Sequence, residues 1–165
     1  MKRLIMINGT MGVGKTAASK ELLALLPNCA FLDGDWCWDM NPFVVNSETK
    51  NMVVDNIVYV LNNFLKCSVY ENIVFCWVMH EEYIMDQILS RLNLMDAVVH
   101  KISLVCSEQA LTKRLSGDVE RGIRTADIIA RSVSRLRNYA SMDTIKIDVS
   151  KITANEAAQQ ILMQI

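Results

Sequence analysis

The sequence predicts an α/β fold, a parallel sheet with helices packed on both faces, and two observations carry that expectation. Short apolar runs suited to buried strands alternate with longer helix-forming stretches along the whole chain, and such alternation yields a parallel sheet. The first strand also runs straight into a glycine turn, Gly9-Thr10-Met11-Gly12-Val13-Gly14-Lys15-Thr16, and then into a helix. Gly, four residues, Gly, Lys and Thr is the spacing of a phosphate-binding loop, and strand–turn–helix is the context that loop requires.

The elements follow in order. Leu4-Ile5-Met6-Ile7 is a short buried strand, and residues 16–26 form a helix stopped by Pro27. Residues 30–32 make a second strand that ends in Asp33-Gly34-Asp35. Residues 48–66 are helical behind an Asn46/Ser47 cap, with Met52, Val53, Ile57, Val60, Leu61 and Phe64 forming an apolar stripe. Residues 72–78 are continuously apolar, as expected for a strand covered on both faces. A helix over 81–93 precedes a strand over 99–105, and Ser107 caps a short helix through Leu115. The polar stretch 117–125 reads as a loop, 126–140 as a helix and 144–149 as the last strand. A Thr153-x-x-Glu156 capping box opens a final helix over 153–164.

Chemistry is expected where the strands end, because ligands of such sheets bind beyond the carboxyl edge. Glycines let the main chain approach a phosphate closely, and successive N–H groups with a helix N-terminus favour anions. Gly9, Thr10, Met11, Gly12, Val13, Gly14, Lys15, Thr16 and Ala17 are therefore assigned to the nucleotide. Lys15 reaches the β- and γ-phosphates and the Thr16 hydroxyl ligates Mg²⁺. Asp33 and Asp35, two apart in an extended segment, face the same side. One suits Mg²⁺ and the other suits proton abstraction; we assign Asp33 to the metal and Asp35 as base. The competing reading is an Asp-Gly turn that caps the next element.

Trp36 and Trp38 either stack on an acceptor ring or wedge the following helix against the core. Trp77, Met79 and His80 end the third strand and are expected in the same cleft, with His80 a candidate substrate contact. Six arginines, Arg114, Arg121, Arg124, Arg131, Arg135 and Arg137, gather in one segment. Arginine forks suit phosphate oxygens. A loop of residues 116–125 between two helices has the make-up of a mobile lid, with Arg121 and Arg124 aimed at the transferring group and Arg114 at the nucleotide. The alternative for each arginine is a solvated ion pair with Asp118, Glu120 or Asp127.

The glycine loop Gly9–Thr16, the Asp33-Gly34-Asp35-Trp36 strand end and the Arg114–Arg124 segment together resemble the P-loop small-molecule kinases of the nucleoside monophosphate kinase-like group. The Leu32–Asp35 stretch is similar to that of adenylylsulfate kinases, and a carboxylate there is shared with shikimate kinase, gluconate kinase and chloramphenicol phosphotransferase. The resemblance implies a three-layer P-loop NTPase fold, a five-stranded sheet in the order 2-3-1-4-5, an arginine-bearing lid, and Mg-ATP as donor. It also implies an adenine site near residues 150–155. A carboxylate base favours a hydroxyl acceptor, such as a nucleoside, sugar or antibiotic, over a nucleotide phosphate. Trp36-Cys37-Trp38 matches no acceptor pocket of the group, so the acceptor's identity does not carry over. The alternative function is a nucleotide-binding regulatory ATPase or switch.

Composition sets the remaining bounds. At 165 residues the chain is expected to be one domain. It is 52% hydrophobic with a mean hydropathy of +0.20, yet no run is long enough to span a bilayer. The apolar stretch before the glycine loop is too short for a signal peptide, so a cytoplasmic location is expected. A net charge of −1 gives no case for nucleic acid. The partners expected are a small-molecule acceptor and no membrane, in a monomer or homodimer. Five cysteines without C-x-x-C spacing suggest neither disulfides nor zinc.

Overall fold

The structure, a computed structural model, describes residues 1–165. Its elements are β1 (Arg3–Asn8), α1 (Lys15–Leu25), β2 (Cys29–Asp33), α2 (Ser47–Lys66), β3 (Asn72–Cys76), α3 (Glu82–Leu89), β4 (Val98–Val105), α4 (Glu108–Glu120), α5 (Asp127–Ser134), α6 (Leu136–Ser141), β5 (Ile145–Asp148) and α7 (Ala154–Leu162). The strands form one sheet in the order β2-β3-β1-β4-β5, and every pairing is parallel. This is the order the kinase resemblance implies.

Alternation along the central strands divides the core. Ile5 and Ile7 of β1, with Val74, Cys76, Ile102 and Leu104, face α1 and α7. Leu4 and Met6, with Ile73 and Phe75, face α2 and α3. Successive strand side chains point to opposite faces, so two apolar layers arise from one continuous apolar run. Both sequence-expected caps form: Thr153 and Glu156 hold each other's backbone N–H at the head of α7, and Asn46 pairs with Thr49 at the head of α2.

Four boundaries differ from the sequence reading, each for a local reason. The first is α4, which runs on to Glu120 where a loop from residue 116 was expected. Leu111, Leu115 and Val119, four apart, share one face against Ile128 and Met11, and that stripe outweighs the helix-weakening Gly117. The helix stops at Gly122 (φ +69°). There the Gly122 N–H donates to Val119 O and the Ile123 N–H to Asp118 O, a Schellman ending.

The expected helix 126–140 is divided at Arg135 into α5 and α6. The α3 helix ends at Leu89, its chain continuing through 3₁₀-type bonds from Arg91 and Leu92. Finally, β3 ends at Cys76, two residues before the apolar run does. Beyond it three successive carbonyls are held by side chains: Val78 O by the Tyr139 hydroxyl (2.9 Å), Met79 O by Asn8 Nδ2 (3.2 Å) and His80 O by Asn138 Nδ2 (3.1 Å). Met79 takes a positive φ of 33° while fully buried. This turns the chain away from the sheet and opens a cleft above its carboxyl edge.

Candidate active site

The glycine loop is shaped by what surrounds it. A Cβ on Gly9 would lie 2.8 Å from Leu104 O, and one on Gly12 would lie 2.8 Å from Leu115 Cγ. Gly14 has open space around it, and glycine is needed there for its φ of 105°. The N–H groups of Gly12, Gly14, Lys15 and Thr16 find no backbone acceptor. They converge at the head of α1, which makes a concave donor surface for an anion. The loop is anchored on both flanks. Thr10 Oγ1 donates to Ser132 O of α5 (2.8 Å), while Arg114 donates to Val13 O (3.1 Å) and to Val149 O. Thr10 and Arg114 thus brace the loop with their side chains.

Lys15 is buried and its Nζ donates to Thr10 O across the loop (3.1 Å). Burial holds the ammonium below its ordinary range, and Arg124 adds to that. The Cys76 thiol, Asp35 and Asp33 act the other way. Next to it Asp33 closes β2. Its Oδ2 accepts from Thr16 Oγ1 at 2.6 Å and its Oδ1 accepts from the Asp35 N–H at 3.0 Å. The Asp-Gly turn is therefore real, a 3₁₀ turn over Gly34–Trp38 capped by Asp33. The same carboxylate also accepts from the loop hydroxyl of Thr16, so the capping role leaves its second oxygen facing the glycine loop. Thr16 and Asp33 offer adjacent oxygen donors of the kind a hard divalent cation takes. Nowhere do three or more His, Cys, Asp and Glu side chains gather to hold a metal by themselves, so any ion here would share its shell with the nucleotide or water.

Asp35 opens toward the cleft, its Oδ1 accepting from Trp77 Nε1 at 3.1 Å. The crowding walls of the cleft raise its carboxyl above the ordinary value, and Asp33 raises it further. Lys15, the Trp77 bond and Arg124 oppose the rise. Gly34 is what lets Trp77 lie there, since a Cβ at position 34 would meet the indole Cγ at 2.5 Å.

The cleft is a cavity of about 930 Å³ whose lining includes Asp33, Asp35, Trp36, Trp38, Trp77 and His80. Trp36 is 54% exposed and rests edge-on against Phe31 at 5.2 Å. Trp38 leans on Phe43 at 5.9 Å and packs against the α2 side of the core. Each tryptophan thus has both a structural support and a face on the cavity. His80 is kept below its ordinary value first by burial, then by Arg135 and Lys50, against Glu81, whose carboxylate is 3.7 Å away. Lys50 and Arg135 also line this cavity. Neither was assigned a site role from sequence. A lysine on the first turn of a helix is indistinguishable from a solvated one until the fold places it. A smaller cavity of about 200 Å³ lies between the glycine loop and the start of α7, lined by Val13, Gly14, Arg114 and Thr153 among others. It adjoins the region expected to hold adenine.

The two loop arginines part company. Arg121 is 67% exposed and pairs with Asp118 at 2.8 Å on the surface of α4. Arg124 also meets Asp118, at 3.2 Å and less exposed, but its charge reaches both Lys15 and Asp35.

A family model described as an AAA domain matches residues 5–140. The chain belongs to that family. No curated protein matches the chain in sequence, but solved structures share its fold. A gluconokinase from Sinorhizobium meliloti 1021 superposes with a TM-score of 0.69 at 14% identity, covering 98% of this chain and 90% of its own. A tunicamycin resistance protein from Deinococcus radiodurans gives a TM-score of 0.69 at 18% identity, covering 99% and 95%. Shikimate kinase from Acinetobacter baumannii, solved in complex with shikimate, gives a TM-score of 0.67 at 19% identity, covering 99% and 93%. No helix is long and apolar enough to cross a membrane, and all five cysteines are free thiols. Burial pushes the Cys76 thiol up to about 12, as befits a core position.

Proposed function

We propose that this protein is an ATP-dependent kinase that transfers the γ-phosphoryl group to a hydroxyl of a small molecule. The observation that carries the reading is Asp35, a carboxylate open to the aromatic cleft and electrostatically coupled to Lys15 of the glycine loop. A switch ATPase needs a positioned water and no roomy acceptor cleft. Kinases of small molecules among the proteins that share the fold support the same conclusion.

The loop N–H groups and Lys15 hold the β- and γ-phosphates. Thr16 and Asp33 are the residues that would hold Mg²⁺, which when bound neutralises charge on the phosphates. The acceptor hydroxyl gives its proton to Asp35 as its oxygen bonds to the γ-phosphorus. The bond to the β,γ-bridging oxygen breaks and ADP leaves. A carboxyl raised above its ordinary value is a stronger base than a free one. Arg124 lies where charge builds on the transferring group. We assign Arg121 a weaker share, since it reaches the site only if the turn after α4 closes. His80, Trp36 and Trp38 contact the acceptor.

The test is transfer of labelled γ-phosphate from Mg-ATP to pooled nucleosides, nucleoside monophosphates, sugars, sugar acids and hydroxylated antibiotics, each beside Asp35→Asn. A phosphorylated hydroxyl compound that disappears in the variant is the expected outcome. A nucleoside diphosphate product would remove the need for a base. Label released only as free phosphate from every pool would favour a regulatory ATPase.

A further inference from the structure

The two carboxylates at the end of β2 are held differently. Asp33 uses both oxygens, one on the Thr16 hydroxyl and one on the Asp35 N–H. Asp35 is exposed and takes part in none of the chain's ion pairs. Its carboxylate meets one protein group, the Trp77 Nε1–H at 3.1 Å. The bond from its own N–H to Asp33 fixes the backbone of Asp35 but leaves χ1 and χ2 open, and an exposed aspartate samples several such rotamers. The direction of this carboxylate therefore depends on the indole. Trp77 is restrained where Asp35 is not. Its N–H donates to Ile7 O at 3.1 Å, carrying the bonds to β1 one residue past the end of β3. The carbonyls of the next three residues are pinned by Tyr139, Asn8 and Asn138. The ring packs against the α2 layer of the core and lies over Gly34, where a Cβ would come within 2.5 Å of Cγ and 2.7 Å of Cδ1. Gly34 is not among the glycines at positive φ, so its missing side chain serves the ring and no special backbone conformation.

Resting on the kinase reading above, we infer that Trp77 is a positioning residue, whose indole N–H holds Asp35 Oδ1 and so presents Oδ2 to the acceptor hydroxyl. A rigid donor that meets a mobile carboxylate sets the direction of the carboxylate, which is how a supporting residue preorganises a reacting one. Oδ2 takes the hydroxyl proton as the hydroxyl oxygen bonds to the γ-phosphorus, and Oδ1 stays on the indole throughout. The choice of tryptophan fits this task. Its Nε1–H only donates, so it cannot take the proton in place of Asp35. Proton capture needs the hydroxyl within hydrogen-bond reach of the base and in line with the phosphorus, and a misplacement of about 1 Å costs about a hundredfold in rate. The competing role is a cavity wall that packs against the acceptor and leaves the base alone.

Trp77→Phe keeps an aromatic ring and removes the N–H. With Mg-ATP and the pooled hydroxyl compounds of the transfer assay, the maximal rate should fall about tenfold while the ATP KM stays within about twofold. Added to Asp35→Asn, which has no base to orient, the same substitution should lower the residual rate less than about twofold. A packing wall would lower the rate by one factor in both backgrounds. A second measurement uses the intact protein without ligands and does not depend on the stability of Trp77→Phe. The chain has three tryptophans, so the Trp77 indole N–H signal in the NMR spectrum is identified by elimination in Trp36→Phe and Trp38→Phe. Asp35→Ala should move that signal upfield and speed its exchange with water, as loss of a charged acceptor requires. An unmoved signal, a transfer rate in Trp77→Phe equal to wild type, or equal losses in the two backgrounds would overturn the inference and leave the kinase reading standing. Absence of transfer by the wild-type protein to any pool would overturn the kinase reading, and this inference with it.

Discussion

The two halves of the cleft are built by different means. The phosphate half is almost all backbone: a single octapeptide, three glycines at positive φ, N–H groups at one helix head, and a buried lysine folded across its own loop. The half proposed to hold the acceptor is all side chain. It takes Asp35 and the tryptophans from the 3₁₀ turn, Lys50 from α2, Trp77 and His80 from beyond β3, and Arg135 from the bend between α5 and α6. A backbone site tolerates little change because its shape is the chain itself. A side-chain site can be altered one residue at a time while the fold persists, which allows one scaffold to serve different acceptors.

This contrast is open to direct attack. Lys15→Ala strikes the backbone half and is expected to lower kcat roughly a thousandfold or more, with the fold intact by circular dichroism. Asp35→Asn strikes the boundary between the halves. It should lower kcat by about a hundredfold with little change in ATP affinity, the size expected for loss of a general base. Arg124→Gln should lower kcat by about tenfold to a hundredfold, whereas Arg121→Gln, an exposed surface pair, should change it less than about twofold. Equal effects at both arginines would place the closed turn at the centre of the chemistry.

Gly34→Ala probes the acceptor half alone. Its Cβ displaces the Trp77 ring, so acceptor KM should rise about tenfold while ATP KM holds, with a stability loss of about 1–3 kcal/mol. The smallest effect concerns Asp35 and pH. Its carboxyl is raised in the folded state, first by burial and then by Asp33, so the folded protein holds that proton more tightly than the unfolded chain. Stability therefore falls as pH rises from the ordinary carboxylate range through the raised value. Asp35→Asn, which keeps an acceptor for the Trp77 N–H, should show a Tm higher than wild type by about 2 °C at neutral pH. The gap should close in acid, where both side chains are uncharged.

Much of the phosphate half was legible in the sequence because its determinants are local. Glycine spacing, an apolar strand before it and a helix former after it fix the loop with no help from distant residues. The alternation of elements likewise announced the parallel sheet, and Thr153 with Glu156 announced the head of α7. Local reading faltered where tertiary packing outvoted composition. Gly117 and its charged neighbours look like a loop, yet the Leu111, Leu115 and Val119 stripe against Ile128 keeps them helical. The apolar run through Val78 looks like strand, yet Tyr139, Asn8 and Asn138 take the carbonyls after Cys76 and end it.

By itself the sequence determined the class of fold, the phosphate loop, and the carboxylates at the end of β2, since each depends on neighbours within a few residues. Only the tertiary structure decided which charges meet. It turned Arg121 outward and Arg124 inward from one short segment, assigned Arg114 to the Val13 and Val149 carbonyls, and placed Lys50 and Arg135, 85 positions apart in the chain, on the lining of one cavity. Electrostatic and packing partners are chosen by distance in space, and a parallel sheet, whose crossovers separate neighbours by dozens of residues, leaves that distance unwritten in the order of the chain.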